Sequence, residues 1–532
     1  MATYDFDQDN GVDLVVGALD NALYDSDIPK VIQSEATQQL SQDIPTDVRD
    51  YISYFYSVFL AKKNHEMHAC YESSFNKLTD KYYRNSAWPE AETIAPLVNH
   101  DLFFLAIYKE LYFRHCYSKL QPTKEQRVQS YENYCEFFRL VLNSDDIARN
   151  DVQLPTHYIW DVIDEFIYQF QSFCTYRNRL SKKSEQELNF LKQNCQVWNS
   201  YDVLNVLYSL IQKSKMIDQL KAAKQGQDPN TVAGDFGKLQ IYRALGYFSI
   251  IGLLRVHCLL GDFTLALQML EHVDSAKQLF LPRLTACYLS KNYYVGFAYM
   301  MLRRYSDAIN TFVPALDVIA RTKQLNSKSS QFDQFSKKVD QIYALMTICY
   351  AVCQKSESAS QNLHNTMREK YGEQLAVISH GGPEALSVVE ELFVFGCPKF
   401  INALTDYEVE EEPQLHHREI FMLDIKNQLA APVVRSYMKL YTTMSIEKLG
   451  TFLQVDTATL RRQLIVAKQK SKQYRNTSGS LLEGEITNSS DLDFALHRDV
   501  IKIAEAKTSR KYADWFVRNT YKYHSLQDQS RT

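Results

Sequence analysis

"ALGYFSIIGLLRVHCLLGDF", residues 244–263, is the most apolar stretch of the chain and is about as long as a membrane-spanning helix. Arg255 and His257 lie in its middle. An arginine near a bilayer centre costs about 2.5–3.5 kcal/mol, which leucine and isoleucine neighbours could offset, so charge alone does not decide the matter. The residues immediately downstream do. The stretch runs directly into "GDFTLALQMLEHV" (261–273), a turn and then a second amphipathic helix. The layout recurs in "NYYVGFAYMMLRRYSDAINTFVPAL" (292–316).

Placing Ala266 on Ala308, an offset of 42 residues, brings Phe263 onto Tyr305, Leu270 onto Phe312 and His257 onto Tyr299. The second copy reads Gly296-x-x-Tyr299, then Ala308-x-x-x-Phe312. This is the Gly-x-x-Tyr…Ala-x-x-x-Phe skeleton of the tetratricopeptide repeat, whose period is about 34 residues. Its small residues let two helices approach and its aromatics fill the gap. The match is degenerate: the Trp and Pro of the full pattern are missing, and Leu254 stands where Gly is expected. The apolar run is therefore read as a buried helix of a helical-repeat stack, apolar all round because it packs on both sides. No membrane partner is expected.

The totals agree with an all-helical reading. With 532 residues the chain has room for roughly three domains. Gly (16) and Pro (13) are scarce, while Tyr (35) and Phe (28) are plentiful, which suits long packed helices. A net charge of −4 does not favour nucleic-acid binding by the chain as a whole. The ten cysteines include no Cys-x-x-Cys pair, so a zinc site has no support. Reduced thiols and the lack of a visible secretory signal point to the cytoplasm.

Along the chain, residues 1–46 form an acidic arm, expected to be mostly disordered. Residues 47–220 read as an N-terminal helical array, with runs such as "HDLFFLAIYKELYFRHCYSKL" (100–120) and "IWDVIDEFIYQFQSFCTYR" (159–177) carrying apolar residues every three or four positions. The polar, glycine-containing segment 221–237 reads as a loop, and 238–429 as the tetratricopeptide-like repeats. No stretch before residue 480 alternates like a strand. "TDYEVEEEPQLHHRE" (405–419) reads as an acidic surface linker.

From residue 430 to 505 the pattern changes. Ser436–Tyr441 suits a short helix. Ser445 can cap "IEKLGTFLQV", and Asp456 or Thr457 can cap "ATLRRQLIVAKQK". "DLDFAL" and "DVIKI" alternate like strands, with "EGEIT" as a third. Three helices followed by a small antiparallel hairpin make a winged helix. Residues 506–532 add a C-terminal helix and tail. The expected class is thus mainly α: a helical-repeat solenoid ending in a winged helix.

That layout resembles the PCI domain, found in the proteasome lid, the COP9 signalosome and the eukaryotic translation initiation factor 3 complex. "WPEAETIAPLV", "YKELYFRHCYSK", "WDVIDEFIYQFQSF", "GYFSIIGLLRVHCLLGDF", "YYVGFAYMMLRRYSDAI" and "LYTTM" resemble the subunit L family of that initiation factor, over roughly residues 50–520. The resemblance implies a non-catalytic scaffold subunit. It would contribute to assembly of the complex and to messenger RNA recruitment on the small ribosomal subunit. It would sit beside a PCI-type subunit K, with C-terminal helices gathered in a bundle. The alternative is the equivalent scaffold in a lid or signalosome complex.

A small sheet with an exposed edge invites pairing with another chain. The strand around Val500, Ile501 and Ile503 is expected to be that edge, followed by Trp515 and Phe516, of which one should pack internally because neighbours on a helix diverge. The third winged-helix helix carries Arg461, Arg462, Lys468 and Lys470, with Lys472 just beyond, a candidate RNA contact of the phosphate-neutralising kind. Other chemistry finds no constellation. "HEMH" (65–68) spaces its histidines three apart rather than four. His416-His417 and Cys349/Cys353 read as surface and core. No phosphate-binding loop or nucleophile elbow is present. No enzyme activity, metal or cofactor is expected.

Overall fold

In the computed structural model the described residues are 44–143, 152–273, 284–325, 331–353, 361–381, 383–403, 412–428, 430–476, 480–488, 490, 492–505 and 508–529. The acidic arm lies outside them up to residue 43, as do 404–411 of the acidic linker. The chain divides into two compact units. One comprises Met1–Cys287 with Lys399–Pro413, the other Tyr288–Pro398 with Gln414–Thr532.

The first unit contains α1 (Thr46–Leu60), α2 (Leu102–Lys119), α3 (Lys124–Leu142), α4 (Thr156–Asn178), α5 (Ser200–Lys213), α6 (Gln240–Leu260) and the short α7 (Phe263–Gln268). Local chemistry sets the starts of these helices. Asp101 accepts the N–H groups of Phe103 and Phe104 at the head of α2, and Thr123 with Gln126 forms a reciprocal capping box on α3. The polar turn between them lets α2 and α3 pack side by side. The segment read as a loop, 221–237, is more structured than expected. Met216–Lys224 is helical, Asp228 caps a 3-10 turn at Pro229–Thr231, and a short helix covers Gly234–Lys238.

Helix α6 carries residues 244–260 of the apolar stretch and packs against α4 and α5. Its length and composition alone would let it cross a membrane, yet 83% of its apolar window is buried within the protein. Its Arg255 and His257 are engaged internally. The Arg255 guanidinium donates to the Asp164 carboxylate (2.7 Å) and backbone carbonyl (3.1 Å). His257 Nε2 lies 3.2 Å from the Tyr208 hydroxyl, and burial lowers the imidazole pKa. Buried polar groups are tolerated when paired in this way. The returning segment 399–413 also belongs here: Ile401 N–H donates to the Leu259 carbonyl at 2.9 Å.

The second unit takes in α8 (Thr285–Met301) from Tyr288 on, α9 (Tyr305–Leu325), α10 (Gln331–Cys353), α11 (Gln361–His380), α12 (Pro383–Gly396) and α13 (Pro413–Lys426) from Gln414 on. Successive pairs α9–α10, α10–α11 and α11–α12 pack together. The repeat signature is realised between α8 and α9. A Cβ on Gly296 would lie 2.2 Å from Phe312 Cε1 and 2.5 Å from Cζ, so only a hydrogen fits. Ala308 and Phe312 are fully buried. Gly296→Ala should therefore destabilise this unit by about 1–3 kcal/mol, through forced displacement of the Phe312 ring. Equilibrium urea denaturation checks it, and an unchanged midpoint would refute the close approach. His416 and His417, expected in a linker, lie on α13.

The winged helix comes next: α14 (Ala430–Met438), β1 (Thr443–Ser445), α15 (Ile446–Leu453), α16 (Thr457–Lys470), β2 (Lys472–Arg475), β3 (Glu485–Asn488), β4 (Leu492–His497) and β5 (Val500–Glu505). Ser445 caps α15 and Asp456 caps α16. Met438, Met444, Leu449, Leu460, Leu464 and Ile501 are among the residues of its core. Two strands, β1 and β2, lie before residue 480, where none is expected. The sheet order corrects a second expectation. β5 lies between β1 and β4, antiparallel to both, so it is the central strand and not the edge. Three residues of β1, joined directly to α15, cover the side that the sequence leaves apparently open. β2 pairs separately with β3. The C-terminal helix, α17, spans Thr508–Gln529.

A candidate docking surface on the C-terminal module

The expected interface residues separate into two sets. Ile501 is fully buried, and Ile503 packs half-buried against the winged-helix core. Val500, at the start of β5, is partly exposed. On α17, Trp515 and Phe516 are both open to solvent at 58% and 61%, so neither packs internally as expected of one of them. Their rings meet edge-on with centroids 5.1 Å apart. Val517, Tyr521 and Tyr523 are exposed as well. One helix thus presents five large apolar side chains to solvent. Three of them are consecutive, so they cover more than half of its circumference. Single exposed apolar residues are ordinary, but a helix apolar on several faces is one that packs against other elements.

The wing adds a smaller apolar spot. Tyr474 of β2 and Ile486 of β3 are register partners, and both are exposed. Their pairing is not visible in the sequence, because it forms only when the hairpin closes.

The candidate RNA-contact residues are largely engaged within the protein. Arg461 pairs with Asp499 at 2.6 Å on the surface, and Arg462 donates to the Thr459 hydroxyl at 3.1 Å. The Lys468 ammonium donates to the Phe494 carbonyl and lies 3.3 Å from the Asp493 carboxylate. Lys470 pairs with Asp424 of α13, whose side chain is almost wholly buried and also receives Arg303 at 3.2 Å and Gln428 Nε2 at 2.8 Å. Lys472, on β2, is exposed. The first four side chains tie α16 to β4, to the β4–β5 turn, to α13 or to α16 itself.

Behind the wing lies a buried charged clamp that sequence reading missed. Arg304, 6% exposed, donates to the Asp307 carboxylate through Nε (2.8 Å) and Nη2 (2.7 Å). The same guanidinium donates to the carbonyls of Leu481 and Leu482 (both 3.0 Å) and Glu483 (3.1 Å). Asp307 in turn accepts the Asn476 N–H at 3.1 Å, and the Tyr299 hydroxyl donates to the Leu481 carbonyl at 2.9 Å. The clamp fixes both ends of the β2–β3 connection to the α8–α9 repeat.

Groups with catalytic or ligating chemistry are placed as follows. His68 contacts the Tyr71 hydroxyl (3.0 Å) and the Glu72 carboxylate (2.8 Å). Among the described residues no group of three or more His, Cys, Asp or Glu side chains is arranged to hold a metal ion. Cys349 and Cys353 are buried, and burial pushes the Cys349 thiol well above its ordinary pKa, away from the reactive thiolate.

Comparison with known proteins adds to this geometry. Residues 126–523 match the family described as RNA polymerase I-associated factor PAF67. Proteins named eukaryotic translation initiation factor 3 subunit L are similar over nearly the whole chain. The one from Mycosarcoma maydis is 47% identical over 497 residues, covering 91% of this chain and 74% of its own length. That from Nematostella vectensis is 43% identical, covering 91% and 93%. The human one is 40% identical over 519 residues, covering 92% and 91%.

Proposed function

The chain belongs to the subunit L family of eukaryotic translation initiation factor 3, and from that premise we propose that it acts as a non-catalytic scaffold whose C-terminal module docks it into the complex. Its role as an initiation factor 3 subunit is preferred over a proteasome-lid or signalosome role, because the similar proteins carry the initiation-factor name. The single observation that carries the docking reading is α17, a helix showing Trp515, Phe516, Val517, Tyr521 and Tyr523 to solvent. Burying such side chains gives roughly 1.5–3 kcal/mol each, enough for a few of them to dominate an interface, as aromatic anchors commonly do.

In this reading the repeats hold the winged helix in place, and the helix beyond it joins helices of neighbouring subunits. A PCI-type subunit K is the proposed immediate neighbour, and the small ribosomal subunit is reached through the complex in the cytoplasm. There the subunit contributes to messenger RNA recruitment. Lys472 is the member of the basic set best suited to a direct RNA contact.

The test separates docking from folding. A full chain carrying Trp515→Ser, Phe516→Ser and Tyr521→Ser should keep its circular dichroism and thermal midpoint, because these side chains make little internal packing. It should be depleted about tenfold or more from initiation factor 3 in sucrose gradients of cytosol. Normal incorporation of the triple variant would overturn the reading.

A further inference from the structure

A cleft of about 400 Å³ opens in the first unit. It lies between the first turn of α3, the C-terminal half of α4, the 3-10 turn Leu180–Lys182 beyond it, and Lys399 of the returning segment. Five of its lining side chains are cations, Arg127, Arg179, Lys182, Lys183 and Lys399, against one carboxylate, Glu187. That carboxylate is already occupied, accepting the Ser184 N–H (3.1 Å) and the Tyr176 hydroxyl (3.2 Å). None of the five cations makes an ion pair among the described residues.

The fold holds these charges together with some force. Arg127 Nη1 donates to the Ser172 hydroxyl (3.2 Å), while its buried Nε has no acceptor. The Arg127 carbonyl accepts the Trp198 indole N–H (3.1 Å), which fixes the backbone at the cleft wall. Lys399 is brought in across the unit, its carbonyl accepting Gln171 Nε2 at 2.7 Å. Burial pulls the Lys183 ammonium below its ordinary pKa; Glu187 opposes that shift, and Arg127 and Arg179 add to it. Five cations gathered in a concave wall against the single carboxylate of Glu187 focus a positive potential that a polyvalent anion relieves.

We infer that this cleft binds a compact anion bearing several phosphate groups. Charge-assisted hydrogen bonds from arginine and lysine to phosphate oxygens are among the stronger polar contacts available. The shape argues against a nucleic-acid strand. Proteins that hold single strands set aromatic platforms along a groove. Here the Tyr176 ring is covered by Lys183 Nζ, 3.3 Å from its centroid, and by the Arg127 guanidinium at 4.7 Å. The charge surrounds one cavity and does not run along a track. The inference is independent of the docking role of α17, since every residue in it belongs to the first unit.

Isothermal titration of the full chain at about 0.15 M salt tests it, with inositol hexakisphosphate, tripolyphosphate, ATP, orthophosphate and a short uridine oligonucleotide as probes. Hexakisphosphate should saturate a single site and bind at least about tenfold tighter than orthophosphate. Tripolyphosphate and ATP binding as tightly as hexakisphosphate would support a site filled by about three phosphates; weaker binding of both would support a site that engages more of them. The variant carrying Arg179→Glu, Lys182→Glu and Lys183→Glu should lose about tenfold or more in affinity, with circular dichroism unchanged. Lys77→Glu, an exposed cation of the same unit away from the cleft lining, should leave the affinity intact. Lack of saturable binding, or binding indifferent to the cleft variant, overturns the inference. So does tighter binding of the oligonucleotide through the same side chains, which would make the cleft an RNA site.

Discussion

Replacing Arg304 with alanine should cost about 3–5 kcal/mol, the characteristic penalty for removing one partner of a buried ion pair. The side chain is 6% exposed, and its five-donor fork is spent on Asp307 and on the carbonyls of Leu481, Leu482 and Glu483. Alanine removes all of these at once. It leaves Asp307, 4% exposed, with a buried negative charge facing only the Asn476 N–H. It also frees the connection between β2 and β3, because the Tyr299 hydroxyl then holds the Leu481 carbonyl alone. Urea denaturation and limited proteolysis report the two consequences separately: a lower midpoint, and new cleavage near residues 476–484. The paired replacement Arg304→Met with Asp307→Leu should recover part of the loss, since it abolishes the orphaned charge. A single variant within about 1 kcal/mol of the parent would show that the clamp is not what anchors the wing.

Trp198→Ala should produce a loss of similar size, about 3–5 kcal/mol, in the first unit. The indole is wholly buried and meets the rings of Tyr131 (5.3 Å), Phe166 (5.4 Å), Tyr134 (5.9 Å) and Phe170 (6.4 Å). It thereby joins α3 to α4. The chain accepts an unfavourable backbone to put it there, since Trp198 has φ +54°, in the left-handed region that bulky side chains avoid. Such a conformation persists only where packing over-determines it. Alanine forfeits the packing, leaves a large cavity and keeps most of the backbone strain. Trp198→Phe should fall between the two, retaining ring contacts but losing the hydrogen bond to the Arg127 carbonyl. The midpoint of urea denaturation followed by circular dichroism checks the order, and an alanine variant more stable than the phenylalanine one would refute the account.

The repeat signature is legible in the sequence because it is short-range. Gly296 and Phe312 are 16 residues apart, and a helical hairpin of that length brings them together by its own geometry. Helix caps are shorter still: Ser445 reaches Lys448, and Asp456 reaches Ala458. The strands divide along the same line. β4 and β5 form a hairpin with alternating residues, and both are visible in the sequence. β1 has three residues and is a strand only because β5, more than fifty residues later, pairs with it. Misreading β5 as an edge results directly from not seeing β1.

Residue order is enough to set the helical class, the positions of most helices, their caps, the buried nature of residues 244–263 and the winged helix, because each rests on periodicity or on contacts a few residues long. Only the folded arrangement makes Arg304, of two adjacent arginines, the buried clamp while Arg303 stays exposed, and sends Lys470 to Asp424 while Lys472 meets solvent. The same arrangement gathers Arg127, Lys183 and Lys399 into one cleft and leaves both Trp515 and Phe516 uncovered. These outcomes depend on which distant segments arrive at a given helix face, and charge or bulk at a position carries no information about what will be packed against it.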